Sequence, residues 1–97
     1  MVTKNILGNL SYEGFKTHKL VSNESGNVLL ISLEKGSELK EHKSNTDASI
    51  LILEGEVIFK INGTNYTLVS HDLYSFKKDN IHAIEAIQNS KLILIKS

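Results

Sequence analysis

The chain has 97 residues, and its 11 basic residues, every one a lysine, cancel its 11 acidic ones. Chains divide into domains only beyond roughly 250–300 residues, so a single domain is expected. Without net positive charge, and without an arginine fork for phosphate or guanine, nucleic acid and anionic membranes are excluded as natural partners. Cysteine is absent, which removes disulfides, thiolate nucleophiles and Cys-ligated metals and leaves only histidine and oxygen donors for metal chemistry. Ile, Leu, Val and Phe make up about a third of the chain, well above the disordered range.

Residues 1–14 carry Ile6, Leu7 and Leu10 at a spacing that suits one helical turn or coil equally well. They are expected to form a loosely docked arm ahead of one domain over residues 15–97. No stretch there has the apolar core of a signal peptide or the length of a membrane span, so the protein reads as soluble and cytoplasmic.

From Phe15 onward, short apolar runs alternate with turn residues and no helical period lasts three turns, which predicts an all-β domain. Phe15–Val21 and Val28–Leu33 flank the turn-forming segment Ser22–Asn27 and predict a hairpin. After Lys35-Gly36-Ser37, the segment Glu38–Asp47 is too polar for a core strand and is expected along a rim, where site residues tend to collect. Ser49–Leu53 is apolar on both sides of the pleat and is expected to be the most buried strand. Glu54-Gly55-Glu56 turns the chain into Val57–Ile61, and Asn62-Gly63 is a strong signal for a two-residue hairpin back through Tyr66 and Leu68. Leu73–Phe76, Ile81–Ile87 and Lys91–Lys96 complete seven to nine strands separated by Ser70-His71-Asp72, Lys77–Asn80 and Gln88–Ser90. Short strands at this spacing, without crossover helices, leave a sandwich, jelly roll or small barrel.

Over Leu33 to Ile87 the order of turns and histidines resembles the cupin superfamily, whose domains are small jelly-roll β-barrels. In that family's first motif, G-x5-H-x-H-x3–4-E-x6-G, Gly36, His42 and Gly55 fall on the first glycine, first histidine and closing glycine, while Ser44 and Ala48 occupy the second histidine and the glutamate. In the second motif, G-x5-P-x-G-x2-H-x3-N, His82 falls on the histidine, whereas His71, Lys77, Asp79 and Ala86 stand at the first glycine, the proline, the second glycine and the asparagine. Glu41-His42 with Asp47-Ala48 is also similar to a subset of small single-domain cupins, most of them without an assigned activity.

The resemblance implies that His42 and His82 face each other in one pocket, with Ser44, Asp47 and Tyr74 around them. Two readings follow. In one, a cavity ringed by these side chains holds a small polar molecule without metal, as in cupins that serve as sensor halves of regulators. In the other, His42, His82 and Asp47 ligate a divalent transition metal (Zn, Mn, Fe or Ni) in a dioxygenase- or isomerase-like enzyme, Asp47 replacing the missing glutamate. His18 and His71 read as solvated surface residues, and Phe59, Tyr66, Tyr74 and Phe76 as core. A chain this short gains from burying more apolar surface, so a homodimer is expected, paired through exposed edge strands.

Overall fold

The computed structural model describes residues 1–96, leaving Ser97 outside the described residues. Nine strands form: β1 Phe15–Asn23, β2 Gly26–Leu33, β3 Glu38–Lys43, β4 Ala48–Glu54, β5 Glu56–Ile61, β6 Thr64–Val69, β7 Leu73–Phe76, β8 Ile81–Ala86 and β9 Ser90–Lys96. All pairings are antiparallel. A five-stranded sheet in the order β1-β2-β9-β4-β7 packs on a four-stranded sheet in the order β3-β8-β5-β6. Consecutive strands therefore change sheets repeatedly, as in a jelly roll, and the expected all-β class stands.

Alternation along the strands decides what lies between the layers. Ile31 and Leu33, Ile50 and Ile52, and Leu92 and Leu94 point inward from the larger sheet, and Val57, Phe59, Ile61, Ile84 and Ala86 meet them from the smaller one. At Asn62-Gly63 both residues have positive φ, 50° and 78°, as the primed hairpin turn requires. The first hairpin is tighter than the sequence suggests. Asn23 pairs with Gly26, so the strands run into the polar segment, and the Asn23 side chain accepts a hydrogen bond from the Ser25 amide.

One expectation needs correction. Ser49–Leu53 does not form the most buried strand: β4 buries Ala48, Ile50 and Ile52, but Leu51 and Leu53 on its outer face remain half-buried, and β8 encloses more of its length. Being in the middle of a sheet covers a strand's edges, while its outer face needs a further layer. Among the described residues such a layer lies over β2 and β9. Residues 5–12 cross the outer face there, closed by a turn in which the Asn9 amide donates to the Asn5 carbonyl, and beneath them Leu30, Ser32 and Lys91 are only 1%, 0% and 4% exposed. The Ser32 hydroxyl donates to the Ser11 carbonyl and the Lys91 ammonium to the Leu7 carbonyl. The polar segment Glu38–Asp47, expected on a rim, provides the edge strand β3 and the turn after it. The chain has no helix long and apolar enough to cross a membrane among the described residues.

Candidate functional site

His42 and His82 lie directly opposite each other on neighbouring strands β3 and β8. Simple alternation would put Leu39 and His42, three residues apart, on opposite faces of β3. A bulge between them, where Leu39 pairs with Ile84 and His42 with His82, inserts the extra residue that turns both inward. The ring centroids are 4.1 Å apart and the rings meet edge to face.

Each imidazole is fixed in the same way. His42 Nδ1 lies 2.9 Å from the Lys40 carbonyl oxygen, and His82 Nδ1 lies 2.9 Å from the Asn80 carbonyl oxygen. A carbonyl only accepts, so both Nδ1 atoms carry the proton and donate, and in the neutral rings both Nε2 atoms keep a lone pair. His82 is only 4% exposed. Burial, helped by the neighbouring His42 and the Lys96 ammonium, pulls its pKa below the ordinary value, against the opposing pull of the Asn80 carbonyl.

The interior next to the two histidines is lined by rings. Phe76 lies 4.6 Å and Phe59 5.8 Å from His82 between centroids, and Tyr74 sits 5.1 Å beyond Phe59 and 5.0 Å from Tyr66. Tyr74 packs against the core with Phe59 and Phe76, as expected, whereas Tyr66, also expected in the core, is 39% exposed; Phe59 and Phe76 stand between Tyr74 and the histidines. Burial, with the Tyr66 hydroxyl beside it, pushes the Tyr74 phenol up.

Ser44 is buried, yet its hydroxyl engages Thr46 and not a histidine. Asp47 points away from the pair. Its carboxylate accepts from the Lys78 amide at 3.0 Å and meets the Lys77 ammonium at 3.6 Å, contacts that hold its pKa below the ordinary carboxylate value. Asp47 therefore does not take the place of the missing glutamate beside the histidines, because its carboxylate is engaged by the turn at 77–80. Among the described residues no three His, Cys, Asp or Glu side chains stand together as a metal-binding group. Anchored Nδ1 atoms are typical behind metal-ligating histidines, but two imidazoles are one short of the three protein donors a catalytic ion usually takes. The donor set does not fit a metal held by His42, Asp47 and His82.

Surface cavities lie elsewhere. One of about 210 Å³ is lined by Asp47, Ser49, Ser75 and Lys77 among others, and one of about 390 Å³ by Glu41, Lys60 and Asn65 among others; neither includes His42 or His82. His18 and His71 are exposed, as expected. Sequence reasoning missed Lys96. The register sets it beside Ala48, itself paired with Phe76, so it shares the inner face with Leu94 at the His82 end of the barrel. Alternation from Leu92 through Leu94 to Lys96 was the available signal.

No protein-family model and no curated protein matches the sequence. Solved structures do match in shape. An RmlC-like cupin protein from Desulfovibrio desulfuricans superposes with a TM-score of 0.86 at 20% identity, over 98% of this chain and 94% of that one. A cupin superfamily protein from Desulfitobacterium hafniense gives 0.84 at 23% identity, over 90% and 80% of the two chains. A protein of unknown function from Streptococcus pyogenes gives 0.82 at 23% identity, over 89% and 75%. The chain has the cupin fold.

Within that fold, the motif positions have a backbone explanation. Gly36 and Gly55, which match the first motif's glycines, have φ of 87° and 96°. His71 and Asp79, which stand where the second cupin motif writes glycine, have φ of 78° and 68°. All four positions thus adopt the left-handed conformation that glycine accepts most readily. Two of the four, His71 and Asp79, hold that conformation with a side chain that makes it costlier than glycine would.

Proposed function

We propose that this cupin-fold domain is a small-molecule binding module in which His42 and His82 hold a small polar molecule at one end of the barrel. The reading is carried by the paired Nδ1 anchors: two backbone carbonyls fix the tautomer and orientation of two adjacent imidazoles, so two Nε2 acceptors are preorganised before any ligand arrives. Phe76 and Phe59 supply an apolar wall behind them, and Lys96 a positive charge on the same face. A molecule bearing hydroxyl or amino donors, with an anionic group toward Lys96, suits this set.

A screen of small polar metabolites by imidazole ¹H–¹⁵N NMR tests the reading. Ligands should shift the Nε2 resonances of both histidines, and His42→Gln or His82→Gln should weaken binding about tenfold or more, the range of a lost hydrogen bond to a buried or charged group. Elemental analysis of protein purified without a nickel column or chelator is the second arm. One transition metal per chain, lost in either histidine variant, would overturn the metal-free reading in favour of an enzyme.

A further inference from the structure

The two histidine anchors differ in what stands behind them. His42 takes its partner, the Lys40 carbonyl, from β3 itself, whereas the Asn80 carbonyl that holds His82 belongs to the turn at 77–80. That turn needs support from outside. Asp79 sits at φ of 68°, a left-handed conformation that a residue with a side chain keeps only where its surroundings enforce it. The support comes from the segment ahead of β4, in the sheet opposite His82. The Asp79 amide donates to the Ser44 carbonyl at 2.8 Å, and the Lys78 amide donates to the Asp47 carboxylate at 3.0 Å. Inside the turn, the Asn80 side chain donates to the Lys77 carbonyl and accepts from the Asn62 side chain, while its peptide carbonyl meets the His82 ring.

We propose that Asp47 is a positioning residue for His82: its carboxylate holds the Lys78 amide, the turn so fixed aims the Asn80 carbonyl, and that carbonyl keeps the His82 proton on Nδ1 and the lone pair on Nε2. Asp47 acts without touching the ring. The Lys78 amide is the contact that matters, since a hydrogen bond to an ionised carboxylate is roughly twice as strong as a neutral one. The Lys77 ammonium at 3.6 Å belongs to a side chain 84% exposed, and such surface ion pairs contribute little. What the freed Nε2 does rests on the binding reading above; which nitrogen carries the proton does not. His42 has its anchor within its own strand and serves as the internal reference.

Imidazole ¹H–¹⁵N spectra of the full chain without ligand, at about pH 8 and so well above the ordinary histidine value, test it. In the wild type each ring should show one protonated nitrogen and one lone-pair nitrogen. Asp47→Ala should move the two His82 nitrogens toward an average as tautomers exchange. It should also speed solvent exchange of the Nδ1 proton about tenfold, the loss of one ordinary hydrogen bond. His42 should keep its two separate signals, and the circular dichroism spectrum should not change. Asp47→Asn retains an oxygen for the Lys78 amide and should restore the His82 pattern, and Lys77→Met should leave that pattern intact. A His82 that keeps a single Nδ1-protonated form in Asp47→Ala would overturn the proposal, as would equal averaging at His42, averaging in Lys77→Met or no rescue by Asp47→Asn. If no ligand is found while Asp47→Ala still disturbs His82 alone, the binding reading falls and the positioning role stands.

Discussion

His42 and His82 stand ring to ring at 4.1 Å, and only His82 is fully enclosed. The enclosed ring resists protonation because charging it means desolvated charge beside a second imidazole and the Lys96 ammonium. In the unfolded chain the same histidine protonates near its ordinary 6.5. Between that value and the lower folded one the unfolded state binds more protons, so this contribution to stability is complete above 6.5 and is lost as pH falls through the window below it. Urea midpoints should therefore decline from about pH 7 to about pH 5. His82→Gln should flatten that decline, and an unchanged slope in the variant would refute the assignment.

Lys91 is the clamp of the amino-terminal segment. Its ammonium lies 4.6 Å from the centre of the Tyr12 ring, 3.8 Å from the Glu54 carboxylate and in hydrogen bond with the Leu7 carbonyl, while Tyr12 donates its hydroxyl to Glu54. Burial and Glu54 push the Tyr12 phenol up to about 12, so it stays a donor at ordinary pH. Lys91→Met keeps the aliphatic stem and removes the charge; it should cost about 1–2 kcal/mol in urea unfolding. Trypsin should then cut faster after Lys4. Unaltered cleavage would show that packing alone holds residues 1–14.

Backbone conformation gives opposite outcomes at two turns. Gly55 has φ of 96°, and a Cβ there would sit 2.5 Å from the Asn89 carbonyl oxygen. Gly55→Ala should cost about 2–3 kcal/mol, since a left-handed alanine and a backbone clash combine. His71 already occupies the left-handed region at 78°. His71→Gly should stabilise by up to about 1 kcal/mol, relief of strain being partly offset by the freedom glycine gains when unfolded. Thermal melts decide both, and a destabilised His71→Gly variant would mean that the imidazole itself makes a needed contact.

The sequence by itself determined the strands, most of the turns and the all-β class, because period-two alternation and turn chemistry are local properties that survive in the order of residues, while the jelly roll and the facing of two histidines 40 positions apart were implied by the resemblance to the cupin motifs. It did not reveal which way Asp47 points, since that depends on the Lys78 amide, 31 residues away, competing for its carboxylate. Nor did it show that Phe59 and Phe76 fill the space behind the histidines, that the bulge in β3 is what brings His42 inward, or that the amino-terminal segment covers one half of a sheet face and leaves the other bare. Those outcomes were decided by tertiary structure, because each depends on groups distant in the chain competing for the same hydrogen bonds and the same volume.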